Sequence, residues 1–94
     1  MKVSGGSMSP TLDNGDYVII KKPRAFRPGL IYVVNHIDFG RIIKRLERIE
    51  TDGSLIFSGD NAASASSAII APVAPERVIG RALIAITKAG LKRL

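Results

Sequence analysis

The sequence predicts an all-β fold built as one small domain over residues 1–94, and three observations predict it. Short apolar runs rich in β-branched residues alternate with Gly, Asp, Asn or Pro turn signals. Ninety-four residues are enough for one core and not for two. With 46% hydrophobic and 23% charged residues and no low-complexity tract, the chain has the composition of a folded protein.

Taken in order, Tyr17 to Lys21 (YVIIK) follows the turn signal Asp13-Asn14-Gly15-Asp16. Leu30 to Asn35 (LIYVVN) follows Pro28-Gly29, and Arg41 to Ile49 follows Asp38-Phe39-Gly40. Ile42, Ile43, Leu46 and Ile49 also fit one face of a helix. The Asp52-Gly53 turn, with Leu55 to Ser58 just beyond it, favours a hairpin that pairs Arg41–Glu50 with Leu55–Ser58. A last run, Val78 to Thr87, is interrupted only by Gly80 and Arg81. Two Tyr, three Phe and no Trp leave the core to Ile, Val, Leu and Ala.

Composition closes several chemistries. There is no cysteine, hence no disulfide, thiol catalysis or zinc–thiolate site. His36 is the only histidine, which removes multi-histidine metal sites and leaves a Ser–His–Asp triad possible through that residue alone. No metal or cofactor is expected. The net charge is +6, and Lys21, Lys22, Arg24 and Arg27 concentrate part of it around Pro23 and Pro28. That cluster reads either as a solvated loop between strands or as a patch for an anionic membrane or nucleic acid. Nothing resembles a zinc finger, an aromatic RNA platform or a helix-turn-helix, so no nucleic-acid partner is expected.

The longest uncharged apolar stretch, Ala68 to Pro75, is far short of the ~20 residues a spanning helix needs. No apolar signal-peptide region follows Met1. The expectation is a soluble chain, with a cytoplasmic location favoured. Peripheral membrane contact, or membrane association through upstream sequence, stands as the alternative.

Three segments carry the candidate chemistry. In Ser4-Gly5-Gly6-Ser7-Met8-Ser9-Pro10-Thr11-Leu12, two glycines let backbone approach backbone, and Pro10 stiffens the exit. Amides around such a bend can converge on one point, as an oxyanion hole requires. By itself the segment also reads as a Ser/Gly loop. In Arg41-Ile42-Ile43-Lys44-Arg45-Leu46, strand alternation puts Lys44 on the face of Ile42 and Leu46, with Arg45 and Glu47 opposite. Apolar surroundings disfavour the ammonium, and only a neutral lysine can act as a base. An exposed lysine on a charged strand is the alternative. The third segment, Gly59-Asp60-Asn61 followed by Ser64, Ser66 and Ser67, reads alone as a turn.

Together these segments resemble the conserved boxes of the Ser–Lys peptidases of the signal peptidase I and LexA-like superfamily. Gly6-Ser7-Met8-x-Pro10-Thr11-Leu12 followed by Gly15-Asp16 is similar to the nucleophile box. Ile43-Lys44-Arg45 is similar to the base-bearing box, and Gly59-Asp60-Asn61 to the last box. The closing Val78-Ile79-Gly80-Arg81-Ala82 fits the final strand. The resemblance implies coiled antiparallel sheets with Ser7 as nucleophile and Lys44 as general base. It implies an ion pair between Arg45 and Asp60, and a serine that orients the lysine, Ser64 or else Ser66.

The position two before the nucleophile holds Gly5, where some signal peptidases have a serine. The oxyanion hole then rests on backbone amides, those of Ser7 and Gly6. Gly5, Met8, Ile42 and Ile43 are expected to meet the substrate, an extended peptide or preprotein lying between Lys2–Ser7 and Arg41–Lys44. The Asp-Ser-Arg usual in the last box is replaced by Ser66-Ser67-Ala68.

The implied activity is serine endopeptidase cleavage of a preprotein or signal-peptide-like substrate through an acyl-enzyme. Alternatives are a LexA-like self-processing or stress-response domain, and an inactive basic β binding module. Oligomeric state is not legible in the sequence.

Overall fold

A computed structural model describes residues 1–64 and 68–94. The described residues form six strands: β1 (Tyr17–Lys21), β2 (Ile31–His36), β3 (Gly40–Ile49), β4 (Leu55–Ser58), β5 (Val78–Thr87) and β6 (Gly90–Arg93). A 3₁₀ turn at Pro75–Arg77 leads into β5. The fold is all-β and every ladder is antiparallel. The ladders join into one six-stranded sheet of order β1-β5-β2-β3-β4, with β6 paired to β5.

The expected hairpin forms as β3 and β4, so the run around Ile42 and Leu46 is strand and not helix. Its turn closes through Gly53 N–H donating to Glu50 O (2.9 Å) and Glu50 N–H donating to Ser54 O (2.9 Å).

The ten-residue β5 organises the sheet. β1 runs along one edge of it from Arg81 to Ile86. The other edge is shared, by β2 from Val78 to Arg81 and by β6 from Ile84 to Thr87. Two register shifts, one opposite Val33/Val34 and one opposite Ile19/Ile20, leave Ile79 and Leu83 as extra residues in β5. Bulges bend a strand and increase its twist, and these two coil the sheet about β5. Gly80 lies between them. A Cβ there would stand 3.1 Å from Lys21 O and 3.2 Å from Ile20 Cβ, so a side chain would be crowded and its neighbours would have to give by a few tenths of an ångström.

β2 is buried on both faces. Ile31 and Val33 join one cluster with Val3, Met8, Leu12 and Val18, and Tyr32 and Val34 join a second with Leu46, Leu55 and Phe57. A strand serving two cores reads as a continuous apolar run, as IYVV does. No helix among the described residues is long and apolar enough to cross a membrane.

Candidate active site

The N-terminal segment is held to the start of β1 by backbone bonds. Val3 N–H donates to Asp16 O (2.7 Å), Gly15 N–H to Val3 O (2.9 Å) and Val18 N–H to Met1 O (2.8 Å). Gly5 then takes φ +80°, a left-handed value that favours glycine, and its N–H donates to Asn14 Oδ1 (2.9 Å). The chain turns tightly from Gly6 to Leu12, with Ser9 N–H donating to Gly6 O (3.2 Å) and Leu12 N–H to Met8 O (2.9 Å). Ser9–Pro10 is a cis peptide. Met8 and Leu12 anchor this turn in the core.

Ser7 lines a cavity of about 390 Å³. Gly5 and Gly6 line it beside Ser7, and Ile42, Ile43 and Lys44 of β3 line it too. Lys44 lies opposite Tyr32 in the ladder and shares the face of Ile42 and Leu46. It is 5% exposed, and among the described residues no carboxylate lines the cavity. Burial therefore pushes the Lys44 amine below the ordinary lysine range.

On one edge, Gly40–Lys44 pairs with β2. β4 takes up the other edge only from Arg45 onward, so among the described residues this stretch has no strand on that side.

The segment after β4 ties these two parts together. Asp60 accepts from Arg45 Nε at Oδ1 (2.8 Å) and from Arg45 Nη2 at Oδ2 (2.7 Å). Thr11 Oγ1 donates to the same Oδ2 (2.6 Å). The Arg45 hydrogen bonds, aided by the Thr11 hydroxyl, hold the Asp60 carboxyl below the usual carboxylate range, and the Asp60 bond raises the Arg45 guanidinium. Arg45 also donates from Nη1 to Gly29 O. Asn61 donates twice to the serine turn, from its N–H to Ser7 O (2.8 Å) and from Nδ2 to Gly6 O (2.9 Å).

Ser64 is half-buried, and its N–H donates to Asn61 O (3.1 Å). Ser66 lies outside the described residues. The Met8 side chain, expected to meet substrate, lies in the core. It is 1% exposed, packs among Val3, Leu12 and Val18, and does not line the cavity. Its place beside the serine reflects the need to anchor the turn.

His36 does not line the cavity either. Its Nδ1 accepts from Asp38 N–H (3.0 Å) and Phe39 N–H (3.3 Å), which makes it the brace of the β2–β3 turn. Thr11 and Asn61 were not singled out from the sequence. Both stand inside the recognised boxes, but neither type of side chain signals its role, for Thr11 a bond to the Asp60 carboxylate and for Asn61 a bond to the Gly6 carbonyl.

Comparison with curated proteins and with solved structures returns no match. A family model described as Peptidase S24-like matches residues 1–83. The matched span takes in the serine turn, Lys44, the Arg45–Asp60 pair and more than half of β5. This is a serine-peptidase-type domain of the LexA and signal peptidase I-like superfamily, and the chain belongs to the Peptidase S24-like family.

Proposed function

We propose that the protein is a serine endopeptidase in which Lys44 activates Ser7. One observation carries the reading. Ser7 and Lys44 line the same cavity, and burial lowers the Lys44 pKa toward the neutral form that a base requires. Neutral Lys44 takes the Ser7 hydroxyl proton as Oγ attacks the substrate carbonyl carbon. The tetrahedral oxyanion is met by backbone amides of the Gly6–Ser7 turn. Collapse breaks the C–N bond, and Lys44 returns the proton to the leaving amine. Water then attacks the ester with Lys44 again as base, freeing Ser7.

An extended peptide adds as a strand along the unpaired edge of Gly40–Lys44, where main-chain bonds supply the affinity. Small residues beside the scissile bond are what the likeness to signal peptidase implies, with a preprotein cleaved in trans. The family match favours a second reading of the substrate, LexA-like processing of a segment joined to the same polypeptide.

The test is digestion of a peptide library by the wild type and by Ser7→Ala side by side. Cleavage by the wild type alone supports the proposal. Cleavage by neither, with both proteins folded, points to an inactive binding module.

A further inference from the structure

Arg81 holds a polar atom whose bonding is incomplete. Its Nε is buried with no hydrogen-bond partner, and a buried N–H without an acceptor is disfavoured. Arg81 lines a second cavity, of about 170 Å³, whose other charged lining residues are Lys21, Lys22, Arg24 and Arg27. No carboxylate lines this cleft, and none of its five cations is ion-paired among the described residues. Five like charges around one hollow repel one another and create a strong local attraction for an anion. Arginine forks match the geometry of phosphate oxygens.

The sheet beside the cleft supplies a second observation. Side chains alternate along β1, so Tyr17, Ile19 and Lys21 share one face. Tyr17 lies opposite Ile86, Ile86 opposite Leu91, and Lys21 opposite Arg81. Tyr17, Ile19, Ile86 and Leu91 are all exposed, Leu91 at 76%. This outer face therefore carries an apolar row, flanked by Lys2 opposite Tyr17 and Arg93 opposite Ile84, and runs into the cationic cleft at Lys21 and Arg81. Single-stranded nucleic acid seeks cations interleaved with several stacking aromatics, whereas this row holds one aromatic, Tyr17, among three aliphatic side chains. A bilayer surface uses both parts: apolar side chains enter the acyl boundary, tyrosine sits at headgroup level, and cations meet lipid phosphates.

We propose that this face docks on an anionic lipid surface, with a lipid phosphate seated in the Lys21–Arg81 cleft. The occupant follows from charge complementarity and from the apolar row continuous with it. Neither depends on the peptidase reading, and the test needs no catalysis.

Sedimentation with phosphatidylcholine vesicles is compared with sedimentation with vesicles that also contain phosphatidylglycerol. The wild type is expected to bind only the second, less so as salt is raised. Arg81→Gln and Arg24→Gln, the second at an exposed position, are each expected to weaken binding about fivefold. Leu91→Gln is expected to weaken it as well, with wild-type thermal melting retained in all three. Failure of the wild type to bind phosphatidylglycerol vesicles overturns the proposal, as does unchanged binding by both arginine variants. Inorganic phosphate that shifts the Arg81 Nε–H resonance while vesicles stay unbound reassigns the cleft to a free phosphate. DNA-oligonucleotide binding tighter than vesicle binding, and indifferent to Leu91→Gln, reassigns it to nucleic acid.

Discussion

Asp60 grips Arg45 through both carboxylate oxygens while Thr11 donates to one of them, so a single carboxylate joins the lysine strand to the serine turn. Arg45 is the residue after Lys44, and Thr11 is four residues after Ser7. The distance between candidate nucleophile and candidate base is thus set partly by a side chain that belongs to neither segment. Charge-assisted, two-pronged pairs of this kind fix orientation as well as energy.

Asp60→Asn should destabilise the protein by about 1–3 kcal/mol at neutral pH, the usual effect of removing one partner of a charged, half-buried pair. The sign with pH follows from its depressed carboxyl. Asp60 contributes stability that is present above the usual carboxylate pKa and lost as pH falls through its lowered folded value. Urea unfolding at a series of acid pH values should show this loss in the wild type and a flatter curve in Asp60→Asn.

Asn61→Ala removes the side-chain bond to Gly6 O and keeps the backbone bond to Ser7 O. The stability loss should be about 0.5–1.5 kcal/mol. Because Gly6 and Ser7 carry the amides proposed for the oxyanion, kcat should fall more than KM rises, by up to about a hundredfold. Steady-state kinetics on a cleaved peptide separates this from a purely structural effect, which would leave kcat unchanged in the folded protein.

Much of this architecture is legible in the sequence, because turn residues and apolar runs obey local rules. β1, β4 and β5 begin and end where their turn signals place them, β2 is shifted by one residue at both ends, and β3 begins one residue earlier. β6 is not legible. All four of its residues are exposed, so it has no inward face to create a period. The bulges at Ile79 and Leu83 follow from how β5 shares its edges, which is a tertiary matter. At the candidate site, the Ser-Met and Ile-Lys-Arg boxes are visible because residue type carries the chemistry. The part played by Asn61 is hidden because Gly-Asp-Asn is equally good turn chemistry. The burial of the Met8 side chain is hidden for a related reason, since adjacency to a serine does not reveal which way the next side chain points.

Gly80→Ala should destabilise the fold by about 1–3 kcal/mol, because the added methyl meets the Lys21 carbonyl and the Ile20 side chain inside a bulged strand. Thermal denaturation checks it. A wild-type melting temperature would mean that β1 and β5 separate more easily than their register implies.

Lys44→Met should leave a folded protein more stable than the wild type near neutral pH. Burial lowers the folded pKa of Lys44, so between that value and the ordinary lysine value the unfolded chain binds more protons. Wild-type stability should therefore rise with pH across that window, and the rise should vanish in Lys44→Met. Chemical denaturation at neutral and alkaline pH reads the difference.

The most direct measurement is the pH dependence of kcat/KM for the wild type and for Lys44→Arg on the same cleaved peptide. A buried amine acting as base gives wild-type activity that climbs with pH as Lys44 loses its proton, on a limb lying below the ordinary lysine pKa. Lys44→Arg keeps the charge but does not deprotonate in this range, so it should be inactive at every pH. An active Lys44→Arg enzyme with the same alkaline limb would contradict the account.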